Sequence, residues 1–156
     1  ATLSLAELLK EKLLDGGYDV LMIRETNNCQ IDNIARTVYA NENADCHISL
    51  HYDSSETDKG FFYISVPENV TYRSMEPVAS HWTEHEKLGE SILEGVKTHG
   101  IPIFGSGSVE IDLTQTSYST IPSVDVEVGD RASDYTQETQ EKIASGILSG
   151  IQLFFE

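Results

Sequence analysis

Apolar positions along the chain switch between helical and strand-like spacing. Leu5, Leu8, Leu9 and Leu13 recur on one helical face, and Gly16-Gly17 stops the pattern. Residues 18–24, Tyr-Asp-Val-Leu-Met-Ile-Arg, form an apolar run rich in strand formers, which predicts a buried strand. Ile31, Ile34, Ala35, Val38 and Tyr39 then fall at i, i+3, i+4, i+7 and i+8, the inward stripe of a second amphipathic helix. Residues 46–51 and 60–66 predict two further strands. Residues 67–80, with Pro67 and Pro77, read as irregular. A helix is predicted over 86–100, with Leu88, Ile92, Leu93 and Val96 inward. Gly-Ser-Gly-Ser at 105–108 leads into a short predicted strand at 109–113. Residues 123–130 alternate cleanly as a strand with Glu127 near its end. The last helix, 136–155, carries the stripe Ile143, Ile147, Ile151 and Phe154.

Helices alternating with strands predict an α/β layered sandwich, with a mostly parallel central sheet and helices on both faces. The 156 residues are expected to form one domain, 1–156, long enough to bury a normal core. No repeat or low-complexity linker divides them. The first residues carry neither a methionine nor the basic region and long apolar run of a signal peptide. They read as the inside of a domain entered partway.

Charge narrows the function classes. With 26 acidic and 10 basic residues the net charge is -16. Nucleic acid is excluded as a partner, because Lys and Arg must replace the counterions on its phosphates. Anionic membranes are excluded for the same electrostatic reason. No apolar run approaches the roughly 18 residues that span a bilayer. Cys29 and Cys46 match no metal or disulfide spacing. Cys46 reads as a small buried residue of its strand.

In open α/β sheets ligands sit at the carboxyl ends of strands. His51 and Glu127 are both predicted to lie there. His51 can be a strand-end histidine bonded to a backbone carbonyl, or a metal ligand or base. A rival is His81-Trp82-Thr83-Glu84-His85, whose two histidines would share a helix face in a loose His-x-x-Glu-His zinc pattern. Two acid pairs, Glu110/Asp112 and Asp125/Glu127, each fall on one side of a strand. Paired carboxyls are also what a glycosidase uses.

The block Arg36 to Ser55 resembles the central motif of the zinc-dependent N-acetylmuramoyl-L-alanine amidases (the amidase_3 type) of autolysins and phage endolysins. Arg36, Ala40, Asn41, Ala44, Asp45, Ser49 and His51 carry that resemblance. Residues 16–25 look like the family's strand ending in arginine, here Arg24. Ile121 to Asp130 is similar to its Pro-x-x-x-x-Glu-x-Gly strand, and the last helix resembles its closing helix. The likeness runs from about residue 3 to residue 155.

It implies a hydrolase that uses Zn2+ to cut the amide between N-acetylmuramic acid and L-alanine in peptidoglycan. His51 is then a zinc ligand and Glu127 the catalytic carboxylate. Tyr52 and Asp53, which replace the family's Ala-Asn, would contact substrate. The family's first zinc histidine and its glutamate before the first long helix are not matched. The chain is therefore expected to be an N-terminally incomplete amidase-like catalytic domain, or else a non-catalytic peptidoglycan-binding or regulatory module on the same fold. The implied place of action is extracellular, at the cell wall, for an autolysin or a phage-encoded endolysin. A domain this acidic should be repelled by wall polyanions, so a wall-binding domain is expected elsewhere.

Overall fold

The computed structural model describes residues 1–26 and 31–156, which leaves Cys29 outside the described residues. Side-chain caps set where three of the helices begin. The Asp32 carboxylate accepts from the Ala35 N–H ahead of α2 (Asn33–Asn43). Asn69 accepts from Tyr72 ahead of the short α3 (Val70–Ser74), and Thr136 from Thr139 ahead of α6 (Gln137–Phe155). Each such cap satisfies one of the N–H groups that a first turn leaves free. The remaining elements are α1 (Thr2–Asp15), β1 (His47–Asp53), β2 (Phe61–Ser65), α4 (Val78–Thr98), β3 (Ile103–Glu110), α5 (Thr114–Tyr118) and β4 (Ser123–Asp130).

Among the described residues four strands form one sheet in the order β1-β4-β2-β3. β1 runs parallel to β4, and β2 parallel to β3. β2 and β4 are antiparallel, with Phe62 opposite Glu127. The sheet is therefore mostly parallel but mixed.

Alternation along the strands separates two faces. Ile48, Leu50 and Tyr52 join Val124, Val126, Val128, Phe61 and Tyr63 on one face, under α1, α4 and α6. Leu5, Leu88, Ile92 and Ile147 are fully buried there. Each such side chain contributes about 1.5–3 kcal/mol by leaving water. That outweighs the marginal intrinsic stability of a short helix. α4 and α6 cross so closely that a Cβ on Gly95 would collide with the Gly146 carbonyl oxygen and the Gly150 nitrogen. α5 lies against the other face, next to α2.

Several expectations are corrected. Residues 18–24 do not form a strand. Leu21 to Arg24 instead line a groove of about 390 Å³, across which lie Ile48 to His51 of β1. Among the described residues the sheet ends at β1, which pairs with β4, and does not extend to residues 18–24. The predicted stripe of α2 faces solvent: Ile34 is 48% and Val38 43% exposed, while Thr37 and Ala40 are buried. Gly-Ser-Gly-Ser belongs inside β3 rather than before a strand at 109–113. Gly107, at φ +100° and against Leu93, makes the irregular register there possible. Residues 67–80 contain α3 and the start of α4, so the histidine segment at 81–85 is helical.

Candidate active site

The parallel register of β1 on β4 sets His47, Ser49 and His51 beside Ser123, Asp125 and Glu127. All six side chains share the face opposite the main core. Polar groups from helices fill the inner half of this face. Gln115 of α5 accepts from the Ser49 hydroxyl at 2.6 Å and donates to Ser123 Oγ at 2.7 Å and the Val124 carbonyl at 3.1 Å. His85 Nδ1 accepts the Ser123 N–H at 3.0 Å. Burial pushes His85 down to about 4, and His47 likewise to about 4. Both rings are therefore neutral, and His85 is a wedge between α4 and β4. The His81-Glu84-His85 alternative thus loses one of its two imidazoles to a structural role.

The outer half is open. His51 is half exposed, and its Nε2 lies 3.1 Å from Asp125 Oδ2. The hydrogen bond to Asp125 raises the His51 pKa and outweighs the opposing effect of burial. Glu127 is the Cα partner of His51 and is only partly exposed. Burial first, and the charge of Asp125 second, push its carboxyl up to about 7, while His51 and Lys59 oppose the rise. Asp125 Oδ1 and Glu127 Oε2 are buried and find no hydrogen-bond partner among the described residues. A carboxylate held near neutrality with a free oxygen can take a proton and give it back.

The far wall comes from residues that the sequence did not mark. Phe62 stands opposite Glu127, and Phe104 of β3 lies 5.3 Å from it, centroid to centroid. The Lys59 ammonium sits over both rings, 5.1 Å and 4.8 Å from their centroids, and pairs with the Asp53 carboxylate. That pairing holds Asp53 below the usual carboxylate range.

Asp130 explains how Lys59 gets there. It is fully buried, and its carboxylate accepts from the hydroxyls of Ser55 and Thr57 and from the N–H groups of Thr57, Asp58, Lys59 and Ala132, at 2.8–3.3 Å. Burial alone would raise this carboxyl. Hydrogen bonds from Ser55, Ala132, Lys59 and Asp58 outweigh it and hold Asp130 well below the usual range. The end of β4 thereby clamps the loop that follows β1.

Tyr52 lies on the other pleat from His51. Its ring meets Tyr135 edge-on at 4.8 Å, and burial raises its hydroxyl to about 12. Cys46 is a half-buried free thiol, raised to about 11 by burial. Arg24 donates to Thr2 Oγ1 at 2.8 Å.

Tetrahedral zinc asks for three protein donors and one open position. Among the described residues no group of three or more His, Cys, Asp or Glu side chains is placed to hold a metal ion. His51 has Asp125 as its near neighbour, so the donor set present does not fit zinc by itself.

Comparison with known proteins places this geometry. Residues 1–153 match the family model described as N-acetylmuramoyl-L-alanine amidase. The apo form of the N-acetylmuramyl-L-alanine amidase of Mycobacterium abscessus superposes with a TM-score of 0.76, at 18% identity, over 97% of this chain and 75% of that one. The CwlD amidase of Clostridioides difficile, solved in complex with the GerS lipoprotein, gives 0.73 at 21% identity, over 98% and 83%. The catalytic domain of an endolysin targeting Clostridia difficile gives 0.66 at 15%, over 96% and 80%. No curated protein sequence matches the chain.

Proposed function

Because the chain belongs to the N-acetylmuramoyl-L-alanine amidase family, we propose that it hydrolyses the amide between N-acetylmuramic acid and L-alanine in peptidoglycan, with Glu127 as the catalytic carboxylate. One observation carries this reading: a partly buried glutamate, raised to about 7, stands beside His51 at the open end of the β1–β4 pair. Glu127 takes a proton from water as the water attacks the amide carbonyl. It then gives that proton to the departing amine of L-alanine. A base with a pKa near the working pH serves both halves of this cycle.

Zinc enters the proposal through His51 alone, as one ligand. The described residues supply no complete shell, so a bound ion needs further donors. Asp53 acts in substrate binding through Lys59. Tyr52, facing away from His51, acts by fixing the strand end. The place of action is the cell wall, for an autolysin or an endolysin. Among the described residues no helix is long and apolar enough to cross a membrane.

The test is incubation of the purified chain, with and without added zinc, with defined muropeptides. New L-alanine amino termini are read by mass spectrometry. Wild-type release that Glu127→Gln lacks supports the reading; equal release by both rejects it. The incomplete donor set favours a second reading, a non-catalytic peptidoglycan-binding module. That module should pellet with purified walls in chelator, and failure to pellet discards it. Under the hydrolase reading the net charge of -16 predicts weak wall adhesion by this domain, with another domain or protein holding it there. Strong, salt-sensitive pelleting would contradict this.

A further inference from the structure

Lys59 has a placement that its structural role does not need. The loop is anchored to Asp130 by the Lys59 backbone N–H, at 3.3 Å, whatever the side chain. An ion pair with a partly exposed Asp53 adds about 0–1 kcal/mol to stability. Yet the ammonium is fixed over two aromatic faces, with a side chain that is 22% exposed. Phe62, beneath it, is the cross-strand partner of Glu127. The sheet order then sets His51 on one flank of Glu127 and the Lys59 ammonium on the other. In a chain of net charge -16, a cation held at this place offsets the repulsion that any acidic substrate would meet.

The chemistry of the substrate selects the ligand. In the amide that is cut, the acid group of N-acetylmuramic acid is already consumed. Free carboxylates therefore belong to the peptide part. We propose that Lys59 is a specificity-determining residue that binds a carboxylate of the substrate's peptide on the β2–β3 side of Glu127. Asp53 holds the ammonium in place until that carboxylate arrives. Phe62 and Phe104 keep it partly dehydrated, which strengthens its attraction for an anion. This inference rests on the amidase reading and gives it a direction: the sugar lies toward β1 and the peptide toward β3.

The test compares two probes, N-acetylmuramoyl-L-alanyl-D-glutamate and its diamide, in which both carboxyls are blocked. For wild type, KM for the free acid should be lower than for the diamide. Lys59→Met should raise KM for the acid about tenfold or more and move KM for the diamide less than about twofold, with Lys59→Arg restoring most of the preference. An equal effect on both probes, or an effect on kcat alone, overturns the proposal. Lys59→Gln serves if the Met variant fails to fold. Calorimetric titration with the product peptide L-alanyl-D-glutamate needs no turnover. A Lys59-dependent affinity with neither probe cut would reject the amidase reading and keep the carboxylate site. Cleavage of both probes with no dependence on Lys59 would do the reverse.

Discussion

Glu127→Gln removes the group on which the proposed chemistry turns and keeps its shape. In the folded chain burial and Asp125 raise this carboxyl from an ordinary 4.5 to about 7. A base with that pKa is about one-tenth ionised at pH 6, whereas an unperturbed one would be almost fully ionised. The wild-type kcat/KM should therefore fall about tenfold per pH unit below about pH 7. The glutamine variant should lose about 10²–10⁴-fold in rate, the usual worth of a positioned acid–base group. Asp125→Asn, which removes the second cause of the rise, should move the acid limb to lower pH. The assay is amino-terminus release from a muropeptide between pH 5 and pH 9, with folding checked by circular dichroism. A limb near 4.5, or a glutamine variant within tenfold of wild type, refutes the reasoning.

The same shift has a consequence for stability. A carboxyl whose folded pKa lies above its unfolded value stabilises the fold fully below about 4.5, and that contribution is lost as pH rises through about 7. Above pH 7 the charge is only partly offset by His51 and Lys59, so Glu127→Gln should unfold at higher urea than wild type despite its lost rate.

Other outcomes follow from single contacts. If the chain binds zinc, His51→Ala should remove it, as elemental analysis after dialysis would show; retained metal would place the site elsewhere. Gly95→Ala puts a methyl group into the Gly146 and Gly150 backbone, and overpacking of this kind should cost about 1–3 kcal/mol in a urea titration. Asp130→Leu withdraws the acceptor for the loop at 55–59, so amide hydrogen exchange should rise at Thr57, Asp58 and Lys59 while α6 stays protected.

What was legible in the sequence was whatever a single element decides for itself. The stripes of α1, α4 and α6 point inward as read, because each supplies several large apolar residues on one face. β4 alternates because its two faces meet different surroundings, apolar helices on one side and the polar site on the other. His51 and Glu127 were legible through a motif and a strand end, and the parallel register does set them side by side. Their roles in metal binding and catalysis still rest on the proposal above.

What was not legible depends on partners distant in sequence. Residues 18–24 have the composition of a strand, but a strand is a relation between two backbones. α2 misleads in the other direction: its most apolar stripe is exposed, and a line through Thr37 and Ala40 is buried, because contact with β1 and α5 needs small side chains more than large ones. The site shows the same limit. Lys59 stands in a polar loop with no pattern around it, and its place is decided by a carboxylate 71 residues later in the chain. The local hint was Asp130 itself, an acid at the end of a strand that is otherwise buried. A charged residue can end a buried strand only if donors surround it. In this fold the nearest chain able to supply them is the loop leaving β1. Reading Asp130 as a demand for donors, rather than as a surface acid, leads from β4 back to that loop and so to the ammonium beside Glu127.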